Sequence, residues 1–242
     1  REDASSAIAM DLSLEYRWDL GSTQNTLLVG TDHTRQKHRS ARWLRMAAPL
    51  DAYDPVYGRP DLTPEVQRPY RASRRERHDL TGLYVQNQSR IADRWVLLLG
   101  GRNDWSRDRE SPYFEAENWT RERSHAFSGR AGLVYLAPNG LAPFVSWSES
   151  FQPQSGTDRS GTRFQPTTGT QYEAGVRYQP EGRDLLLTAA VYQLTRQNVT
   201  TTDPVDNAFT VQTGEVRSRG LELEAKLQAT RSLGLLAAYA NT

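Results

Sequence analysis

The chain contains no cysteine. That excludes a disulfide framework and any cysteine-ligated zinc or iron–sulfur site. It has no long apolar run either. Trp95 to Leu99 is the most apolar short stretch, far below the roughly 20 apolar residues of a spanning helix. Charge of one sign is not in excess: 30 basic residues stand against 29 acidic ones. A dedicated nucleic-acid binder shows a basic surplus, so no nucleic-acid partner is expected. Arg1-Glu2-Asp3 is not the start of a signal peptide, which needs a basic start and an apolar stretch. Helix logic alone makes the chain soluble. A transmembrane β-barrel escapes that logic, because each strand shows lipid only one face and total hydrophobicity stays low.

What is present is alternation. Ile8, Met10, Leu12, Leu14, Tyr16 and Trp18 alternate with Ala9, Asp11, Ser13, Glu15 and Arg17. This period of two makes one face apolar and the other charged. Soluble strands average about 5–6 residues, whereas a tilted membrane strand needs about 9–11. The apolar face ends in Tyr16 and Trp18, the residue types of an interfacial aromatic girdle. The pattern recurs: Tyr172, Ala174, Val176 and Tyr178 alternate with Glu173, Gly175, Arg177 and Gln179. Leu221, Leu223, Ala225 and Leu227 alternate with Glu222, Glu224, Lys226 and Gln228. No comparable helical period of 3.6 is present.

The expected fold class is all-β, an antiparallel transmembrane β-barrel fragment. Its strands are expected at 7–19, 25–37, 76–90, 94–107, 123–137, 141–150, 168–179, 183–199, 208–228 and 233–242. Short turns fall near Gly21-Ser22, Ala92-Asp93, Pro138-Asn139-Gly140, Pro180-Glu181-Gly182 and Arg231-Ser232. Long connections fall at 38–75, 108–122, 151–167 and 200–207. Short periplasmic turns opposite long extracellular loops are the habit of outer-membrane barrels. A soluble all-β sandwich also alternates, and it remains open as a soluble binding module. A passive outer-membrane porin remains open too.

No motif for covalent chemistry is found, so no enzyme and no catalytic residue are expected. His33, His38, His78 and His125 form no His-Glu-x-x-His or other close metal spacing, so no metal site is expected. No Gly-x-Ser-x-Gly elbow exposes a nucleophile. Gly100-Gly101 lies inside a strand, where it relieves crowding rather than cradling phosphate. Arg68 to Arg77 holds five arginines and one glutamate. It reads as a solvated outer loop, or as attraction for lipopolysaccharide phosphate or an acidic ligand. By parity, Leu12, Leu14, Leu97, Leu133, Val176 and Leu223 face lipid. Asp11, Glu15, Glu173, Arg177, Glu222, Glu224 and Lys226 face the lumen, where they need partners, water or a filling domain.

Six stretches in order resemble the barrel of TonB-dependent ferric-siderophore receptors, in particular the ferric-hydroxamate (ferrichrome and ferrioxamine) branch. They are Thr81-Gly82-Leu83-Tyr84-Val85-Gln86-Asn87-Gln88, Leu99-Gly100-Gly101-Arg102-Asn103-Asp104-Trp105, and Pro143 to Pro153 around Trp147-Ser148-Glu149-Ser150-Phe151. The others are Pro166 to Tyr178, Ala189 to Asn198, and Gly214 to Ala225. The resemblance implies a barrel of about 22 strands in the bacterial outer membrane, of which about ten are here. It implies a plug that fills the lumen and docks on the charged wall, and uptake of a ferric siderophore. It also implies energy from the TonB–ExbB–ExbD complex through a box near the N-terminus. Residues 1–242 then read as a partial barrel domain without plug or TonB box. The siderophore is the transported ligand, and no cofactor is expected. Its contacts are expected on the long loops, among their aromatics: Trp43, Tyr53, Tyr57, Tyr70, Tyr113, Phe114, Trp119, Phe151 and Phe164. Trp43, in the loop where receptors of this branch place a ligand-contacting aromatic pair, is the leading candidate, followed by Phe151 and Phe164.

Overall fold

In the computed structural model, residues 2–44, 53–54, 68–69, 73–112, 118–154, 156–207 and 209–242 are described. Among the described residues twelve strands follow one another. They are β1 (Glu2–Leu20), β2 (Thr23–Ala41), β3 (Trp43–Leu44), β4 (Arg68–Pro69), β5 (Arg74–Ile91) and β6 (Trp95–Pro112). Then come β7 (Thr120–Tyr135), β8 (Leu141–Gln152), β9 (Thr167–Tyr178), β10 (Leu185–Thr202), β11 (Thr210–Thr230) and β12 (Leu233–Asn241). Ten of them form one sheet in chain order, while β3 and β4 make a separate two-stranded ladder. Every long strand expected from the alternation is present.

The differences lie at the strand ends away from the short turns. There β1, β2 and β6 run on to Glu2, Ala41 and Pro112. Sequences such as Arg35-Gln36-Lys37-His38-Arg39-Ser40 are polar on both faces, so they carry no apolar alternation to read. The backbone still has to satisfy its N–H and C=O groups, and continuing the ladder does that. The long connections shorten accordingly to 42–73, 113–119, 153–166 and 203–209, and the first holds the unforeseen β3–β4 ladder, with Trp43 opposite Pro69.

The five short turns fall where the sequence put them, three of them at glycines (Gly21, Gly140 and Gly182) that take positive φ. Ala92 and Asp93 both take positive φ (50° and 58°). Two successive left-handed residues make the mirror-type turn whose twist suits a two-residue hairpin.

By contact density the chain divides into two units: residues 1–10, 33–80 and 106–123, and residues 11–32, 81–105 and 124–242. In the second unit the register fixes two transverse rows of apolar side chains. Leu133, Val145, Ala174, Val191 and Leu221 stand opposite one another across β7 to β11. Val176, Ala189, Leu223 and Tyr239 do so across β9 to β12. Of the described residues only Ala41 and Ala190 are buried apolar side chains, whereas Leu12 and Leu14 are 74% and 71% exposed. An aligned apolar face of this extent is incompatible with free solution and is the outward face of a membrane barrel. Near the short turns Tyr16 stacks on Trp18 at 5.6 Å and Trp95 meets Tyr135 at 4.7 Å, as a girdle requires. No helix is long and apolar enough to cross a membrane, which says nothing against crossing by strands.

Candidate ligand-binding surface

The opposite face of the same strands is polar. The register sets Glu173 beside Ser146 and Tyr192, Arg177 beside Ala142 and Thr188, and Glu224 beside Thr188. Glu222 stands between Ala190 and Ala240, and Lys226 between Leu186 and Leu236. These five of the seven charges expected in the lumen therefore share one face. They pair only sparsely. Lys226 lies 3.8 Å from Glu224, Gln171 donates to Glu173 at 3.2 Å, and the Arg177 guanidinium lies over the Phe144 ring. The Glu222 side chain makes no ion pair or hydrogen bond among the described residues.

A tighter network on this face spans β1, β2, β5 and β6. Arg102 donates to both oxygens of Asp32 and to Asp104 (2.5–2.9 Å). Tyr84 donates to Asp11 at 3.2 Å, and Arg102 sits over its ring. Gly82 makes room, because a Cβ there would lie 1.9 Å from the guanidinium. Arg102 and Asp104, two apart on β6, share a face by the strand period, but nothing in the sequence pairs them with Asp32, 70 residues earlier.

In the first unit the charges are sorted by face. His78 Nδ1 meets Asp108 at 2.7 Å, and Ser106 donates to the other oxygen of Asp108. Arg74 reaches Glu76 and Glu110 (3.1 and 3.6 Å), and Ser5 bonds His38. On the opposite parity, Arg35 and Arg77 both reach Asp79. Arg35, Lys37 and Arg39 on β2, Arg75 and Arg77 on β5, and Arg107 and Arg109 on β6 all share that second parity. Asp79 is the sole acid of these three segments on it. A cavity of about 500 Å³ is lined by Lys37, Arg39, Arg75, Arg77 and Trp119, among others. The basic segment 68–77 is thus split: Arg74 faces one way and Arg77 the other, while residues 70–72 lie outside the described residues.

The loop aromatics are separated. Trp43 is half-buried in the β3–β4 ladder. Phe151 ends β8 opposite Thr168 and shares parity with Val145 and Trp147, which puts it on the apolar face. Phe164 belongs to the 153–166 loop, where its N–H donates to Gly156 and its ring would lie 3.4 Å from a Cβ at that glycine. Tyr53 is fully exposed. Tyr57, Tyr70, Tyr113 and Phe114 lie outside the described residues. No group of three or more metal-ligating side chains occurs among the described residues.

Residues 156–164 of the 153–166 loop are themselves ordered. Thr157 bridges Arg163, Gly161 takes φ +82°, and Asp158 accepts from the N–H groups of Ser160 and Thr162 and from the Ser160 hydroxyl (2.6–2.9 Å). The Ser160 hydroxyl first, then the Thr162 N–H, hold the Asp158 carboxyl below the usual carboxylate range. A depressed carboxyl stabilises the turn at every pH above its unfolded value. That help is lost only as pH falls through the lower, folded value.

An antiparallel sheet with one aligned apolar face, aromatic ends and a charged reverse defines the class: a membrane β-barrel wall. The chain belongs to the TonB-dependent receptor family, whose β-barrel model (TonB dependent receptor-like, beta-barrel) matches residues 2–242. It is 37% identical over 240 residues to the ferrichrome outer membrane transporter and phage receptor of Escherichia coli K12, covering 97% of this chain and 32% of that protein. It is 36% identical over 241 residues to the ferrioxamine B receptor of Salmonella typhimurium SL1344, covering 98% and 33%. Among solved structures, the alcaligin outer membrane receptor of Bordetella pertussis superposes with a TM-score of 0.73 at 20% identity, covering 99% of this chain and 39% of that one. The chain spans about a third of the length of these curated relatives. Its place is the bacterial outer membrane. The relatives are transporters and receptors rather than enzymes, and neither a porin nor a soluble module fits this family.

Proposed function

We propose that the chain is the part of a ferric-siderophore receptor barrel that carries several of its ligand-gathering loops, working in a whole protein energised through TonB, ExbB and ExbD. The observation that carries this reading is the family match along residues 2–242, with relatives named for ferrichrome and ferrioxamine B. The iron arrives wrapped in the siderophore's own oxygens, so the wall needs no metal ligands. It needs rigid aromatic area and hydrogen-bonding tips at the outer mouth. The charged face with Glu173, Arg177, Glu222, Glu224 and Lys226 is the lumen wall on which a plug docks, and the scarcity of partners on that face supports this.

Trp43 and Phe164 are the leading ligand contacts. Phe151, by its parity, serves the outer girdle better. Alanine at Trp43 or Phe164 in the full-length receptor should weaken binding of ferrichrome or ferrioxamine B by about 1–3 kcal/mol, the scale of a lost aromatic anchor. Heat-modifiable folding should be unaffected. Fluorescence titration measures this, and unchanged affinity at both positions removes them from the site.

The cations that share the parity of Arg35 and Arg77 fit the phosphates of lipopolysaccharide, for which arginine forks are well shaped. Replacing Arg35 and Arg77 together with glutamate should sharply reduce the lipopolysaccharide phosphate that co-purifies with the receptor. Equal phosphate content in wild type and variant would refute that contact.

A further inference from the structure

The 153–166 loop is not left to its own turn. At its base the side-chain amide of Gln212, on β11, takes the place of a neighbouring strand. Its Oε1 accepts from the Gln165 N–H at 2.7 Å, and its Nε2 donates to the Gln165 carbonyl at 2.6 Å. A primary amide offers the same donor and acceptor as a peptide group, so Gln212 completes both backbone bonds of a residue that has no strand partner. The same Nε2 also donates to the Asn198 carbonyl at 3.0 Å.

Asn198 forms the second half of the clasp. It lies inside β10 with φ +57°, the left-handed region that asparagine tolerates better than most residues. There its Nδ2 donates to the Pro166 carbonyl at 3.0 Å, and its own carbonyl accepts from the Thr167 hydroxyl at 2.9 Å. Pro166 has no N–H to extend a ladder, and its carbonyl accepts the Asn198 amide. One strained residue and one glutamine thereby satisfy the backbone of 165 and 166 and the hydroxyl of 167. Farther out, the Asp158 turn stiffens the tip. The tip and the 165–166 base are thus ordered by separate hydrogen bonds.

We propose that Gln212 and Asn198 are positioning residues, which hold the 153–166 loop as a pre-formed wall of the ligand mouth so that Phe164 needs no ordering when the chelate arrives. The inference rests on the siderophore-receptor reading above. Its energetic logic is preorganisation: a loop fixed before binding loses less conformational freedom on binding, and that difference appears as affinity. Neither residue touches the ligand.

The test uses the full-length receptor with ferrichrome and ferrioxamine B as probes and a nitroxide at the exposed Arg159. Gln212→Ala and Asn198→Ala should each mobilise the nitroxide and weaken binding of the accepted probe by about tenfold, with heat-modifiable folding intact. A second variant guards against general damage. Gln212→Glu keeps the acceptor for the Gln165 N–H but, when ionised, faces the carbonyls of Gln165 and Asn198 without a proton to give. It should bind poorly at pH 7.5 and recover toward wild type at pH 4.5, as protonation returns the donor; two facing carbonyls raise the carboxyl's pKa and favour this. Asp158, held below the ordinary carboxylate range, keeps its turn at pH 4.5, so the tip does not confuse the readout. Wild-type affinity in the alanine variants, or no acid recovery in Gln212→Glu, overturns the clasp's role while leaving the receptor reading intact. A wild-type receptor that binds neither probe overturns both.

Discussion

Lysine in place of Leu223 should destabilise the folded barrel by about 2–4 kcal/mol, the scale for a cation held on the lipid face near mid-bilayer. Leu223 sits in the row Val176, Ala189, Leu223, Tyr239, well inside β11, and is 42% exposed on its apolar face. In water such a site would welcome a charge. In lipid the ammonium must be desolvated or drag water inward, and four methylenes of stem recover little of that cost from mid-span. Lysine at Glu222, one residue earlier but on the charged face, should cost under about 1 kcal/mol, as substitutions outside packed or desolvated sites do. Equilibrium unfolding by urea in lipid vesicles, on the full-length receptor, measures both. Equal costs at 222 and 223 would mean that the two faces are not lipid and lumen.

The second large effect is expected at Arg102. Methionine there removes the cation that serves Asp32 and Asp104 at once. Both carboxylates are largely sheltered, with side-chain exposures of 20% and 9%. Left unpaired they should cost about 1–3 kcal/mol, below the range for fully buried pairs because the site is partly open to water. The triple variant Arg102→Met, Asp32→Asn, Asp104→Asn should regain most of the loss, since removing both sides of a charge pair leaves no orphan. If the single and triple variants unfold at the same urea concentration, the network contributes by packing rather than by charge.

These two expectations depend on different kinds of information. The position of Leu223 on the lipid face was legible in the sequence, because a strand's side-chain period of two is a local property. Leu221, Leu223, Ala225 and Leu227 declare it without reference to any other strand. The same holds for the short turns at Gly21, Gly140 and Gly182, where glycine's freedom is local, and for the aromatic ends at Tyr16 and Trp18.

What the sequence could not declare was which residues stand opposite one another. Arg102 meets Asp32, Gln212 meets Gln165 and His78 meets Asp108 only once register is set, and register is fixed by pairing with other strands. The polar strand ends escaped for a related reason: where both faces are wet the pattern vanishes, although the ladder continues to satisfy the backbone. Phe151 shows the same limit: its partner Thr168 on β9 is known only from the pairing of the two strands. The sequence by itself determined the strands, the turns and the sorting of apolar from charged faces, since each follows from nearest-neighbour chemistry along the chain. The tertiary structure alone decided the charge networks, the β3–β4 ladder and the clasp on the 153–166 loop, because each joins groups whose separation in sequence hides their closeness in space.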